Sequence, residues 1–541
     1  MLDRKLTLLG VLLLALALAD CAASSSSSNA SGGNIPGIGG SGGAAGGSGG
    51  SGGGGGSGGG TLPPEKELES SFRSPVATGK YVWTANPDSG RVALIDATTL
   101  EVHVVDAGFG PTYLAALPDP ANPDANAAIV INVKSHDATV LRADDSGNVV
   151  TQSVSIHQDA NSWAISHSGH WAIAWTDAAK VKNLDPTDGL QDITVIDLSG
   201  KDVQATRLSV GYRPTRVVIG EDDKRAFAVT EPGISVIDLG ASGPEVLDDV
   251  PVTDDPLENP ASRDVSITPD GSLALVRRDG SPDVNVVSLS DGNRVKVTLS
   301  GNVTDLDLAQ DGSQAIAVAR DTSEVALLPI PQIYTTPANY YSVDISGEVF
   351  GSVSTTEDGS TALLYTNAVA NDHLTIFDAR TGPDFLTHRT VALKAPIRAV
   401  FPSPDGAHAI ALLDPGSGSV KPGAFSVVPI ASTLPPRIQG TDAPAQAVAI
   451  EPSPSTRGLV TTRDDVTQTY EAYLVSMPSL QIQHYELASP PLASGMLAKA
   501  GVAYVAQEHP EGRITFIKLA DGAARTLTGF ELGARIVDGS Q

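Results

Sequence analysis

Thr268-Pro269-Asp270-Gly271-Ser272 decides how this chain is read, because it returns along the sequence. Close copies are Gln310-Asp311-Gly312-Ser313, Glu357-Asp358-Gly359-Ser360 and Ser403-Pro404-Asp405-Gly406. Looser copies run over 166–169, 220–223, 452–456 and 499–501. The positions equivalent to the glycine are 169, 223, 271, 312, 359, 406, 456 and 501, so the steps are 54, 48, 41, 47, 47, 50 and 45 residues. Short Val/Ile/Ala/Leu-rich runs flank each turn, and glycine accepts the positive φ that a tight hairpin requires. A second element recurs as Val92–Asp96, Thr194–Asp197, Ser235–Asp238 and Thr375–Asp378, with weaker copies Asn285–Ser288 and Thr515–Lys518. Its closing Asp is expected to accept hydrogen bonds from the next turn's backbone. Each copy reads strand, Asp-Gly turn, strand, loop, third strand, fourth strand. Four short strands per ~45 residues predict an all-β chain, a β-propeller of four-stranded antiparallel blades.

The strand Tyr81-Val82-Trp83-Thr84-Ala85-Asn86, followed by Arg91-Val92-Ala93-Leu94-Ile95-Asp96, resembles the YVTN-type β-propeller repeat. That resemblance runs over most of residues 80–532 and implies a propeller fold. It implies no one function, since such propellers serve as surface proteins, lactonases and redox enzymes. First strands are expected near 112, 162, 214, 263, 303, 350, 397, 446 and 493. An opening unit at 81–105 shows three strands, and Gly533–Asp538 reads as a strand that completes it from the C-terminus. The tally is about ten repeat units, as one large ring or two rings in series.

Three regions follow: a signal segment at 1–20, a lipidated Cys and tether at 21–65, and the propeller domain at 66–541. Arg4 and Lys5 precede an apolar run from Leu6 to Ala19, broken by Thr7 and Gly10. The run is shorter than the ~20 residues of a spanning helix and fits a secretory signal. It ends at Leu18-Ala19-Asp20-Cys21, which resembles a bacterial lipobox, with Asp20 where the pattern has Gly, Ala or Ser. The resemblance implies lipidation at Cys21, the only thiol. The same resemblance implies that Ala22, where such lipoproteins carry Asp for inner-membrane retention, gives no retention, so that in a Gram-negative cell the outer membrane is favoured. Residues 22–60 are almost entirely Ser, Gly and Ala, and no charged residue occurs between Cys21 and Glu65. Such a segment reads as a disordered tether with a reach of about 35 Å.

The 541 residues carry 35 Lys+Arg against 62 Asp+Glu, a formal charge of −27. That balance argues against nucleic acid as a partner. One Cys excludes an internal disulfide framework, a Cys-rich zinc module and c-type haem attachment. The candidate metal ligands are His167 and His170, which flank Ser168-Gly169. The alternative reading makes them the tip of a hairpin, with Trp171 and Trp175 on one face of the next strand, packed between blades. The remaining histidines, His103, His136, His157, His373, His388, His408, His484 and His509, are scattered, and a central channel can gather such residues. Acidic groups at Asp222-Asp223, Asp248-Asp249, Asp254-Asp255, Asp464-Asp465 and Asp305/Asp307/Asp311 offer oxygen for Ca2+, without the ordered loop such a site uses. No cofactor is otherwise expected.

The reading that best fits is a lipid-anchored, non-enzymatic envelope scaffold that binds a protein or glycan through its longer insertions, Asp177–Gln191 and Pro415–Gly423. The alternatives are an envelope enzyme on a propeller, lactonase-like or redox, and a structural surface-layer component.

Overall fold

The computed structural model describes residues 75–122, 125–185, 187–240, 242–255, 257–380, 387–416, 418–431, 434–530 and 536–539. The expected signal segment, Cys21 and the expected tether lie outside the described residues. Among those described, the strands form ten antiparallel sheets, nine of four strands and one of five, each in sequence order. We number the sheets as blades 1 to 10. Their first strands begin at Val76, Pro111, Ser162, Arg216, Arg263, Val303, Ser352, Ile397, Ala445 and Pro491. The nine expected starts from 112 onward each fall within two residues of these.

The strands form where they do because of two-sided burial. In blade 8, Ile410 and Leu412 pack toward blade 9, while Ala409, Ala411 and Leu413 pack toward blade 7. A strand buried on both faces reads as a continuous apolar run. The fourth strand of a blade is the outer edge and alternates instead, as in Gln204–Ser209, where only every second side chain is partly covered. Every neighbouring pair of blades shares one apolar cluster, and blade 10 shares one with blade 1. The domain is therefore one closed ring of ten blades, and the two-ring alternative falls away.

The repeated turns behave as their chemistry requires. Gly271, Gly312, Gly359 and Gly406 all have φ between 64° and 69°. Asp223 takes φ 57° where the looser copy at 220–223 lacks the glycine. Asp270 accepts from the backbone N–H of Ser272 at 3.0 Å and from the Thr268 hydroxyl at 2.6 Å. The turns also link blades, since the Ser455 N–H donates to Asp405 Oδ2 at 3.0 Å. The closing Asp of the third strand caps the next turn, as Asp96 does for the N–H groups of Thr98 and Thr99 at 2.8 and 3.1 Å.

The ring closes differently from the expectation. Blade 1 has its own first strand, Val76–Thr78, fully buried and paired with Tyr81–Trp83. Thr78 Oγ1 also accepts from Trp83 Nε1 at 2.7 Å. With that inner edge filled, the C-terminal strand has no place in blade 1. Ile536–Gly539 instead pairs with Ala524–Thr528 as a fifth, outermost strand of blade 10. Closure rests on face packing, with Ala77, Val82 and Ile95 of blade 1 against Leu497, Tyr504, Phe516 and Phe530.

Two of the acidic candidates are part of this framework. Asp305 Oδ2 accepts from Val353 N, and Asp307 Oδ2 accepts from Thr355 N, each at 2.8 Å. The first strand of blade 6 thus hydrogen-bonds the first strand of blade 7 through its carboxylates. Burial, with Asp305 nearby, pushes the Asp307 carboxyl up to about 7 against the Thr355 bonds that favour its ionised form.

A chain ending at Phe530 is expected to keep the ring, with an unfolding free energy within about 1 kcal/mol of the full chain. Loss of the cooperative transition on that truncation would show that the C-terminal strand closes the ring after all. Asp307→Asn isolates the second feature. The folded pKa lies above the free carboxyl value, so its contribution is present at acid pH and fades as pH rises towards 7. Denaturant titrations are expected to show the variant gaining on the parent by on the order of 3 kcal/mol between the two ends of that window. A constant difference would contradict the assignment.

Candidate functional site at the seam of blades 2 and 3

The Asp-Gly turns occupy one face of the ring. The opposite face carries the crossovers between blades and the loops between second and third strands. The longest of these loops joins Trp171–Trp175 to Asp192–Asp197 in blade 3. It opens on a one-turn 3-10 helix, Ala178–Lys180, capped by Asp177, which accepts from Ala179 N at 3.0 Å. Asn161 holds Asp177 from both sides, donating to its carbonyl at 3.0 Å and accepting from its N–H at 2.8 Å. Lys180 Nζ donates to Ser162 Oγ at 2.7 Å. Farther along, the Arg213 guanidinium donates to the carbonyls of Asp185 and Asp188 at 3.2 and 3.3 Å. This insertion is held by the ring on both sides.

Where the insertion meets blade 2, it walls a cavity of about 210 Å3. Four segments contribute: Tyr113 on the first strand of blade 2, Ile131–Val133 and His136 at the end of its second, Ile156–His157 and Asp159–Asn161 on the crossover, and Val181 on the insertion. Trp163 Nε1 donates to the Tyr113 carbonyl at 2.9 Å and pins the seam below the cavity.

His157 is a fixture of this wall, at 2% exposure. Its own N–H donates to Thr194 Oγ1 at 3.0 Å, and Nδ1 lies 2.9 Å from the same oxygen. With Thr176 donating to the Asp159 carbonyl and accepting from Nε2, the neutral ring leaves Nδ1 to accept from the Thr194 hydroxyl. The proton on Nε2 then goes to Thr176 Oγ1 at 3.2 Å, and Thr176 donates to the Asp159 carbonyl at 3.1 Å. Both ring nitrogens are engaged in a neutral tautomer, and burial pulls the imidazole down to about 4. A histidine so committed orients the crossover and is not a proton shuttle.

The metal candidates stand elsewhere. His167 and His170 sit exposed at the turn between the first two strands of blade 3, on the opposite face. Gly169 in that turn has φ 73°, the Ser168 hydroxyl donates to Asp223, and His170 lies 3.9 Å from the same carboxylate. Trp171 and Trp175 do share one face, packed in the seam with blade 4. The acidic pairs are spent individually: Asp249 accepts from Ser235, Asp254 pairs with Arg294, and Asp465 pairs with Arg463. Among the described residues, no group of three His, Cys, Asp or Glu side chains is placed to hold a metal ion. The second insertion, Pro415–Gly423, lies on blade 8, where Lys421 pairs with Asp442.

Sequence reading singled out the insertion but not the residues it meets. Tyr113, His136 and Asp159 belong to three different segments, and only seam packing brings them together. The available signal was the length of the insertion, with two of the scattered histidines ahead of it, one in blade 2 and one on the crossover to blade 3.

No protein family profile and no curated protein matches the chain. Solved structures resemble it at low identity. A eukaryotic initiation factor is 14% identical, with TM-score 0.48 over 71% of this chain and 90% of that one. Dihydro-heme d1 dehydrogenase NirN is 13% identical, with TM-score 0.42 over 66% of this chain and 72% of that one. The Myceliophteria thermophila Cps50 (Swd1) β-propeller domain is 13% identical, with TM-score 0.34 over 66% of this chain and 97% of that one.

The His157 network has a pH signature. The folded pKa lies below the free value of 6.5, so its contribution is complete above 6.5 and fades as pH falls towards 4. Against His157→Gln, the parent is expected to lose on the order of 3 kcal/mol of its advantage over that interval, read by denaturant unfolding. An advantage that holds at low pH would contradict the neutral, buried imidazole.

Proposed function

We propose that this protein is a non-enzymatic binding scaffold of the bacterial cell envelope. In this reading Cys21 is lipidated after removal of residues 1–20, and the segment up to 65 is a flexible tether. The membrane is the outer one. The ring presents its crossover face to an envelope protein or a glycan. The observation that carries the reading is the cavity at the seam of blades 2 and 3, walled by the longest insertion and braced by Asn161, Lys180 and Arg213. Loops braced on a rigid ring are where propellers place recognition, and preorganised loops lose little entropy on binding. The neutral, doubly bonded His157 and the exposed turn at His167 and His170 favour binding over catalysis.

Membrane fractionation with fatty-acid labelling tests the anchor. The parent is expected to carry label and sediment with the outer membrane, and Cys21→Ser to lose both. Cross-linking in intact cells tests the scaffold, with capture of a specific envelope partner expected to disappear when residues 178–190 are replaced by a short Gly/Ser turn. An unlabelled soluble parent would overturn the anchor, and capture that ignores the replacement would overturn the role of the insertion.

A further inference from the structure

We propose that the cavity at the seam of blades 2 and 3 is a saccharide subsite that holds one pyranose ring, with the Asp159 carboxylate accepting from its hydroxyl groups. This inference rests on the scaffold reading above and names the chemistry of its site.

The size comes first. About 210 Å3 is below the ~300–1,000 Å3 of pockets for drug-sized ligands, and suits a single small ring. The lining is of two kinds. Ile131, Ile156 and Val181 supply carbon, and Tyr113 adds an aromatic body. Asp159 and His136 supply polar groups at the rim, both exposed. A pyranose has the same division, with a C–H face for carbon and hydroxyls for acceptors.

The two rim residues are held by their backbones, which leaves their side chains free. His136 takes φ 56° and Asp159 φ 66°, both left-handed. The His136 N–H donates to the Asn132 carbonyl at 3.0 Å, and the His136 carbonyl accepts from Ile156 N at 3.1 Å. The Asp159 carbonyl accepts from Thr176. Neither the Asp159 carboxylate nor the His136 ring makes a hydrogen bond or ion pair with the described residues, so the backbones are fixed and both side chains are available. Residues held in the left-handed region by such bonds recur at ligand sites.

Charge selects the ligand further. No Lys or Arg lines the cavity, and a carboxylate at its rim within a chain of charge −27 disfavours an anion. A neutral polyol meets no such penalty. On the crossover that leads into blade 2, Phe109 is 75% exposed. Its N–H donates to Ser135 Oγ at 2.9 Å and its carbonyl accepts from Lys134 N at 3.0 Å, so it sits on the turn that carries His136. That ring is a platform for the next unit of a chain.

Calorimetric titration of the full chain with glucose, N-acetylglucosamine, glucosamine and the β-1,4-linked disaccharides of glucose and N-acetylglucosamine tests the assignment. At least one neutral sugar is expected to bind saturably, about tenfold more weakly to Asp159→Ala. Val181→Trp, which fills the cavity, is expected to abolish binding while its unfolding transition stays that of the parent. Phe109→Ala is expected to weaken the disaccharide and leave the monosaccharide unchanged. Should Val181→Trp fail to fold, His136→Ala provides the second reading, with weaker binding expected. Binding to none of the sugars, or undiminished binding to the filled cavity, overturns the inference. Binding of glucosamine alone also overturns it, in favour of an ammonium site. Partner capture that persists where every sugar fails leaves the scaffold standing and removes only the saccharide. Sugar binding by a chain that fractionates as soluble does the reverse.

Discussion

Packing of each blade on both its neighbours is the constraint on which the rest depends. A sheet that forms a wall of two seams has no polar face to spare in its second and third strands. It must also stay thin enough for ten blades to meet around one axis. Alternating Ala with Val, Ile and Leu satisfies both, as in Gln314–Ala319, where all six residues are buried. The low aromatic share of 5% has the same origin, because a bulky ring on one seam displaces a neighbour that must still close on the next. Where rings do enter, as Trp83, Phe227 and Phe425 do, the facing strands offer small residues or a single edge-on partner, such as Tyr473 against Phe425 at 5.4 Å.

The same constraint explains how much could be read in advance. Turn residues, strand spacing and two-sided burial are local, so ten units and nearly all first strands were legible. The first strand of blade 1 was not, because Val76-Ala77-Thr78 is three residues long and follows Ser74-Pro75 without a periodic pattern. Its absence made the C-terminal strand look necessary for closure, and only the packing of Phe530 and Tyr504 against Ala77 and Val82 shows that it is not. The number of rings was likewise invisible, since a seam between blades 10 and 1 joins residues more than four hundred positions apart. The candidate site was half legible. A long insertion is a sequence feature, but its convergence with Tyr113, His136 and Asp159 is a property of one seam.

That seam shows how a repeat fold acquires a cavity without losing its core. Below, Ile129, Val140, Trp163, Ala172 and Ile196 pack blades 2 and 3 as any other pair. Above, the insertion stands off from the blade and is braced by polar contacts where apolar ones run out. His157, Asn161 and Lys180 therefore do for the upper part of the seam what aliphatic side chains do for the lower. A wall braced by these polar contacts holds its shape without a ligand, which is what recognition of a small, weakly bound group requires.

The short strand Val76–Thr78 also sets how the ring bears load. The chain enters the ring at Pro75, on the crossover face, at the innermost position of blade 1. A pull applied there is not spread over a sheet. It falls on three residue pairs with Tyr81–Trp83, the Thr78–Trp83 bond and the contact of the Tyr504 hydroxyl with the Pro75 carbonyl. Blade 1 would be the first to yield, and with it the seam to blade 10 that completes the circle. Heat and solvent act on all ten seams at once, whereas tension on the leading end falls on one short strand.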